Sequence, residues 1–87
     1  MYVIMAYDVN VERVAKVLKV GRRYLTWVQN SVLEGELTFS QYERLKTEVK
    51  KVIEEEEDSV LFYLLRSERS LEREQLGMAK SEPKWIL

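Results

Sequence analysis

Six consecutive apolar residues, Tyr2-Val3-Ile4-Met5-Ala6-Tyr7, follow Met1, and no polar position interrupts them. An extended segment that is apolar on both sides predicts a strand in the middle of a sheet covered by helices. Residues 11–25 then change period. Val11, Val14, Val17, Leu18 and Leu25 recur at helical spacing, with Asn10 placed as N-cap and Glu12 near the positive end of the helix dipole. Residues 26–37 return to an extended pattern, in which Gln29 and Ser31 alternate with Val28 and Val32. Gly35 predicts a bulge or tight turn there, giving one bent strand or a short hairpin. Thr38-Phe39-Ser40-Gln41 carries a capping-box signature, and the stripe Tyr42, Leu45, Val49, Val52, Ile53 predicts a second helix behind it. The acidic run Glu54-Glu55-Glu56-Glu57-Asp58 opposes the dipole at that helix's C-terminus, so it predicts fraying into an exposed, solvated loop.

Residues 59–66 hold a second apolar run, Val60-Leu61-Phe62-Tyr63-Leu64-Leu65, again suited to a central strand with two covered faces. Beyond it the pattern fades. Residues 66–75 are charged, with Ser70 a candidate cap, and Leu76-Gly77-Met78 and Trp85-Ile86-Leu87 are short apolar pieces around Pro83. A terminal Trp-Ile-Leu on so small a chain predicts packing, most naturally as an edge strand on a partner subunit. Strand, helix, strand pair, helix, strand is the order of an α+β, ferredoxin-like βαββαβ sandwich. The expected division is a domain over residues 1–78 and a tail over residues 79–87 that forms the extension strand of a homodimer.

The composition removes whole classes of chemistry. Eighty-seven residues fit one domain, and a hydrophobic share of 46% beside a charged share of 33% suits a core with a soluble surface. The sequence has no cysteine and no histidine. That excludes disulfides, thiolate metal sites, Ser-His-Asp triads and the usual histidine ligation of zinc. Any metal would be held by oxygen, which favours Mg²⁺, Mn²⁺ or Ca²⁺. The lysine and glutamate enrichment is compatible with a thermophilic source. No segment reads as a membrane span or signal peptide, so the expected location is the cytoplasm.

A net charge of −1 conceals a polar distribution: residues 10–26 carry five basic residues against Glu12, and residues 34–58 carry nine acids against four bases. A nucleic-acid footprint is local, so near-neutrality overall does not argue against one. Arg13, Lys16, Lys19, Arg22 and Arg23 form either a solvated helix face or a phosphate-contacting rim. Asp8 closes the first strand at the sheet edge where α/β ligands gather, although Asp is also an ordinary residue of such turns.

An apolar strand ending Tyr7-Asp8-Val9, a basic helix, then Val28-Gln29-Asn30-Ser31-Val32-Leu33-Glu34-Gly35 and a late strand opened by Asp58-Ser59-Val60 resembles the CRISPR-associated protein two family. The resemblance spans about residues 1 to 78. Leu33, where the family commonly has Phe, and Trp27, at a place often basic, depart from its pattern. The resemblance implies a small ferredoxin-like protein of prokaryotic spacer acquisition. It implies a homodimer whose two Asp8 carboxylates face each other and bind a divalent metal, Mg²⁺ with Mn²⁺ as the alternative. It also implies endonuclease action on single-stranded RNA or double-stranded DNA, and a partnership with the CRISPR integrase subunit. Tyr7, Asp8, Arg13 and Ser31 match the family's functional positions. Two facing carboxylates repel, so a metal or a shared proton is expected between them. Arg13 could neutralise a phosphate and Ser31 could donate to one, but Ser31 lacks a base that would make it a nucleophile. The alternative reading is a non-catalytic dimeric scaffold that binds duplex DNA and bridges integrase subunits. A small-molecule-binding dimer of the same fold is a third, because the fold dictates no function.

Overall fold

The computed structural model describes residues 1–76, so the predicted extension strand over residues 79–87 lies outside it. Its elements are β1 (Tyr2–Asp8), α1 (Val11–Arg22), β2 (Thr26–Gln29), β3 (Val32–Glu36), α2 (Phe39–Val52), β4 (Ser59–Leu65) and a 3-10 turn at Glu68–Ser70. The sheet order β2-β3-β1-β4, with every pairing antiparallel, is that of a ferredoxin-like α+β sandwich.

β1 is central, as its unbroken apolar run predicts. Val3, Met5 and Tyr7 stand opposite Leu64, Phe62 and Val60 of β4, while Val3 and Met5 also face Gly35 and Leu33 of β3. Cross-strand partners share a sheet face. That face joins Val17 and Val20 of α1 and Tyr42, Leu45 and Val49 of α2 in one core, with the Tyr42 and Phe62 rings packed edge to face. Both helices thus cover the same side, and β1 has a helical layer on one face rather than two. Its other face, with Ile4 and Ala6, continues into Leu61 and Tyr63 of β4, which are both about half exposed.

Several local expectations are corrected. α1 ends at Arg22 rather than residue 25, and Leu25 follows as a buried residue of the connection into β2. Residues 26–37 form a hairpin whose register slips between Trp27 and Gln29, so the bulge lies at Val28, not at Gly35. The turn is made by Asn30, whose φ of 40° is the left-handed conformation that Asn tolerates. Gly35 instead lies inside β3, where a Cβ would stand 3.3 Å from Leu25 Cδ2. β4 is an edge strand among the described residues, not a central one. Ser70 ends the 3-10 turn rather than capping it.

The caps hold as expected. The Asn10 side chain accepts from Glu12 N. At α2, Gln41 N–H donates to Thr38 Oγ1 at 3.1 Å while Thr38 N–H donates to Gln41 Oε1 at 2.9 Å, a complete capping box.

α1 approaches the sheet closely at Gly21, where a Cβ would meet Leu33 Cδ2 at 3.1 Å. Leu33 is itself fully buried. Leu33→Ala should therefore cost about 2–5 kcal/mol in denaturant unfolding. Gly21→Ala gains roughly 0.5–1 kcal/mol of helix propensity but collides with Leu33 in the native background. In the Leu33→Ala background the new methyl enters the vacated space, so the double variant should be more stable than the sum of the singles. Strict additivity would show that the two positions do not touch.

Candidate functional site

The last rungs of β1 and the turn after it bring the predicted site residues to one end of the sheet. Tyr7 N–H donates to Ser31 O at 3.0 Å, which ties the strand to the hairpin turn. Asp8 pairs with Ser59 as the final rung of the β1–β4 ladder, and its side chain is exposed. Alternation along β1 places Asp8 on the face without helices, with Ile4 and Ala6, whereas Tyr7 points into the core. Burial raises the Tyr7 phenol above its ordinary value, and a side-chain hydrogen bond with Ser31 opposes the rise in part. Tyr7 is therefore a neutral hydroxyl at pH 7, able to orient a group but not to act as a base.

Arg13 has a different position from that of a free cation. Its guanidinium grips Asp58 with two bonds, Nε to Oδ2 at 2.6 Å and a terminal nitrogen to Oδ1 at 3.0 Å. Its remaining donors reach Glu12 and Glu57 at 2.9 and 3.1 Å. The Asp58 side chain has no exposed surface and that of Arg13 has only 14%. Asp58 Oδ1 also accepts Asn10 N–H, and Oδ2 accepts Glu54 N–H, each at 2.8 Å. The acidic run is thus not uniformly solvated: Glu54 to Glu57 are exposed, and Asp58 is drawn inward as the anchor of the turn that ends α2.

The other cations of α1 are exposed. Arg23 is paired with Glu48, which also accepts from the Tyr24 hydroxyl. Arg22 lies over the Trp27 ring, 5.8 Å from its centroid. Lys19 and Arg22 line a shallow groove of about 340 Å³ with Ala15 and Leu18, and Lys16 and Lys51 open onto a polar one of about 650 Å³. Lys16, Lys19 and Arg22 are left as the outward-facing basic group.

Among the described residues no three acidic side chains gather as a metal cluster. Asp8 supplies a single carboxylate per chain. That suits a hard cation that keeps much of its water shell and takes one or two carboxylates, and two copies of Asp8 would double the ligation.

Asp58 is the residue that sequence reasoning missed. The available signal was its place as the last of five acids, directly before an apolar strand and therefore too close to the sheet to stay in water. The hydrogen bonds of Arg13, with the two backbone N–H groups, hold its carboxyl well below the usual carboxylate range despite burial. A depressed folded pKa gives stability that is complete above the ordinary value near 4. That contribution is lost as pH falls through this value towards the folded one. Thermal melts should show wild-type stability declining between roughly pH 5 and pH 2, more steeply than in Asp58→Asn, which starts lower and has no such carboxylate to protonate. Parallel slopes would mean that the pair contributes nothing.

A family model described as CRISPR associated protein Cas2 matches residues 1–73. The chain is 58% identical over 86 residues to a protein of Thermotoga maritima named CRISPR-associated endoribonuclease Cas2, covering 99% of both. It is 54% identical over 87 residues to a protein of the same name from Dictyoglomus turgidum, covering all of each. Among solved structures, one described as the crystal structure of Cas2 superposes with a TM-score of 0.83 at 46% identity, covering 93% of this chain and 91% of that one. Streptococcus pyogenes Cas2 superposes with a TM-score of 0.75 at 36% identity, covering 88% and 100%. The family-model match, the identities to these relatives and the fold agree: the chain belongs to the CRISPR-associated Cas2 family.

Proposed function

We propose that this chain is a metal-dependent endonuclease of CRISPR spacer acquisition, acting on RNA or duplex DNA as a homodimer that sets two Asp8 carboxylates across a two-fold axis. The observation that carries the reading is Asp8 itself, an exposed carboxylate on the last rung of the central strand. It lies on the sheet face that no helix covers. Leu61 and Tyr63 continue that face as large exposed apolar groups, the kind of surface a second copy would bury. Its relatives' names, endoribonuclease Cas2, support the reaction class.

With no histidine or cysteine, proton transfer cannot rest on the usual side chains. Bound Mg²⁺, or Mn²⁺, would supply an activated water and offset charge on the phosphate. The chain's own groups then divide the remaining work. Asp8 provides the oxygen ligand and Ser31 a polar contact at the same sheet end, while Tyr7, buried in the core on the other face, supports the strand from beneath. Lys16, Lys19 and Arg22 form an outward basic surface for the sugar-phosphate backbone, so binding should weaken steeply with salt. The reading includes the integrase subunit as partner and the cytoplasm as the place of action; in its support, no helix among the described residues is long and apolar enough to cross a membrane.

A scaffold that holds duplex DNA without cutting it is the second reading. It is favoured by the single metal-ligating carboxylate per chain and by the basic face of α1, which needs no metal to act. Cleavage of labelled RNA and duplex DNA with Mg²⁺, Mn²⁺ or chelator, wild type beside Asp8→Asn, separates the two. Metal-dependent cutting that drops by at least about 10²-fold in the variant is expected, as for a lost transition-state interaction. Equal background in both proteins with duplex binding retained would establish the scaffold instead.

A further inference from the structure

The Asp58 carboxylate is saturated. Each oxygen accepts two hydrogen bonds: Oδ1 from Asn10 N–H and Arg13, Oδ2 from Glu54 N–H and Arg13. Three parts of the fold meet on it: the turn leaving β1, the first turn of α1, and the turn closing α2. That last turn is also locked through its backbone, because Asp58 N–H donates to Glu54 O at 2.8 Å. Asp58 precedes Ser59, the partner of Asp8. Its side chain therefore continues the ladder one step past the last backbone rung and catches the chain at Asn10. On the other side of Asp8, the chain is caught by the bond from Tyr7 N–H to Ser31 O. Asp8 is thus suspended between two fixed points, and Arg13 holds one of them in place.

We propose that Asp58 is a positioning residue for Asp8, aiming its carboxylate at the metal and phosphate, and that Arg13 acts through Asp58 rather than on nucleic acid. The inference rests on the reading of Asp8 as the metal ligand. Arg13 commits its guanidinium to carboxylates on three sides, Asp58, Glu12 and Glu57. A phosphate approaching it would meet that negative rim before reaching the cation. Asparagine cannot replace Asp58, since its amide nitrogen would face a backbone N–H and a guanidinium N–H, all of them donors.

The test uses the full chain and four proteins: wild type, Asp58→Asn, Arg13→Ala and the double variant. Three quantities are measured on each folded protein. They are Mn²⁺ affinity by electron paramagnetic resonance, Mn²⁺-dependent cleavage, and the salt dependence of RNA and duplex binding in chelator. Both single variants should bind Mn²⁺ roughly tenfold more weakly, the scale seen when a metal ligand loses the group that orients it. The double variant should be no weaker than either single, because both remove one linkage. The salt slope should stay unchanged in Arg13→Ala, whereas loss of a phosphate contact would lower it by about one. As a fourth measurement, hydrogen exchange at Asn10 should accelerate in both variants, and unchanged exchange would overturn the linkage through Asp58.

Wild-type Mn²⁺ affinity in the folded variants, or a lowered salt slope in Arg13→Ala, would overturn the proposal and leave the nuclease reading standing. A wild type that binds Mn²⁺ without cutting, with binding weakened in the variants, would uphold the positioning role and overturn the nuclease. Wild type that binds no Mn²⁺ would overturn both. Should Asp58→Asn fail to fold, Arg13→Ala alone decides, and Arg13→Lys serves as its conservative control. A lysine can keep one bond to Asp58 and should restore part of the metal affinity.

Discussion

The structure depends on the burial of β1. Its backbone is paired on both edges, to β3 and to β4, and Val3, Met5 and Tyr7 form the floor of the core beneath both helices. Because a strand's side chains alternate, the same seven residues must present a second row to the opposite face. Tyr2, Ile4, Ala6 and Asp8 are that row. The core therefore fixes the position of Asp8 indirectly: a shift of register by one would exchange the two rows and put the carboxylate under the helices.

The opposite face is closed in part by the chain itself. Glu34 is buried there, accepting the Tyr2 hydroxyl at 2.5 Å and pairing with Arg73. Leu71 to Gln75 border a cavity of about 270 Å³ over Ile4, Val28 and Val32. Leu61 and Tyr63 lie beyond that cover and remain exposed. An apolar edge strand with such residues on its open face is a surface that monomeric proteins usually avoid, which agrees with assembly into a larger unit.

Charge is used in two ways along α1. The outward cations sit in water, where single ion pairs such as Arg23–Glu48 add little to stability because solvent screens them. Arg13, on the first turn of the same helix, faces inward and completes the shell of a buried carboxylate that water no longer solvates. The same residue type thus serves a surface field at one end of the helix and a fixed backbone geometry at the other. Only the direction of the side chain separates them.

Much of this was legible in the sequence because it is local. The period-2 and period-3.6 patterns named the strands and helices, Asn10 and the Thr38–Gln41 box marked the helix starts, and Tyr7-Asp8-Val9 with the Gln29–Ser31 stretch pointed to the family. What the sequence did not yield was long-range. An apolar run states that a strand is buried, but not on which faces or by which neighbours, so β4 reads as central until its pairing is known. Nor does Gly35 reveal whether its missing Cβ serves a turn or the approach of Leu25. Asp58 and Arg13 are 45 residues apart, each inside a charged segment that by itself belongs in water. Periodicity and capping follow from interactions within a few residues and were determined by the sequence alone. The faces left open, the edge left unpaired and the carboxylate turned inward were decided only by the tertiary structure, because desolvation and pairing exist only once distant segments meet.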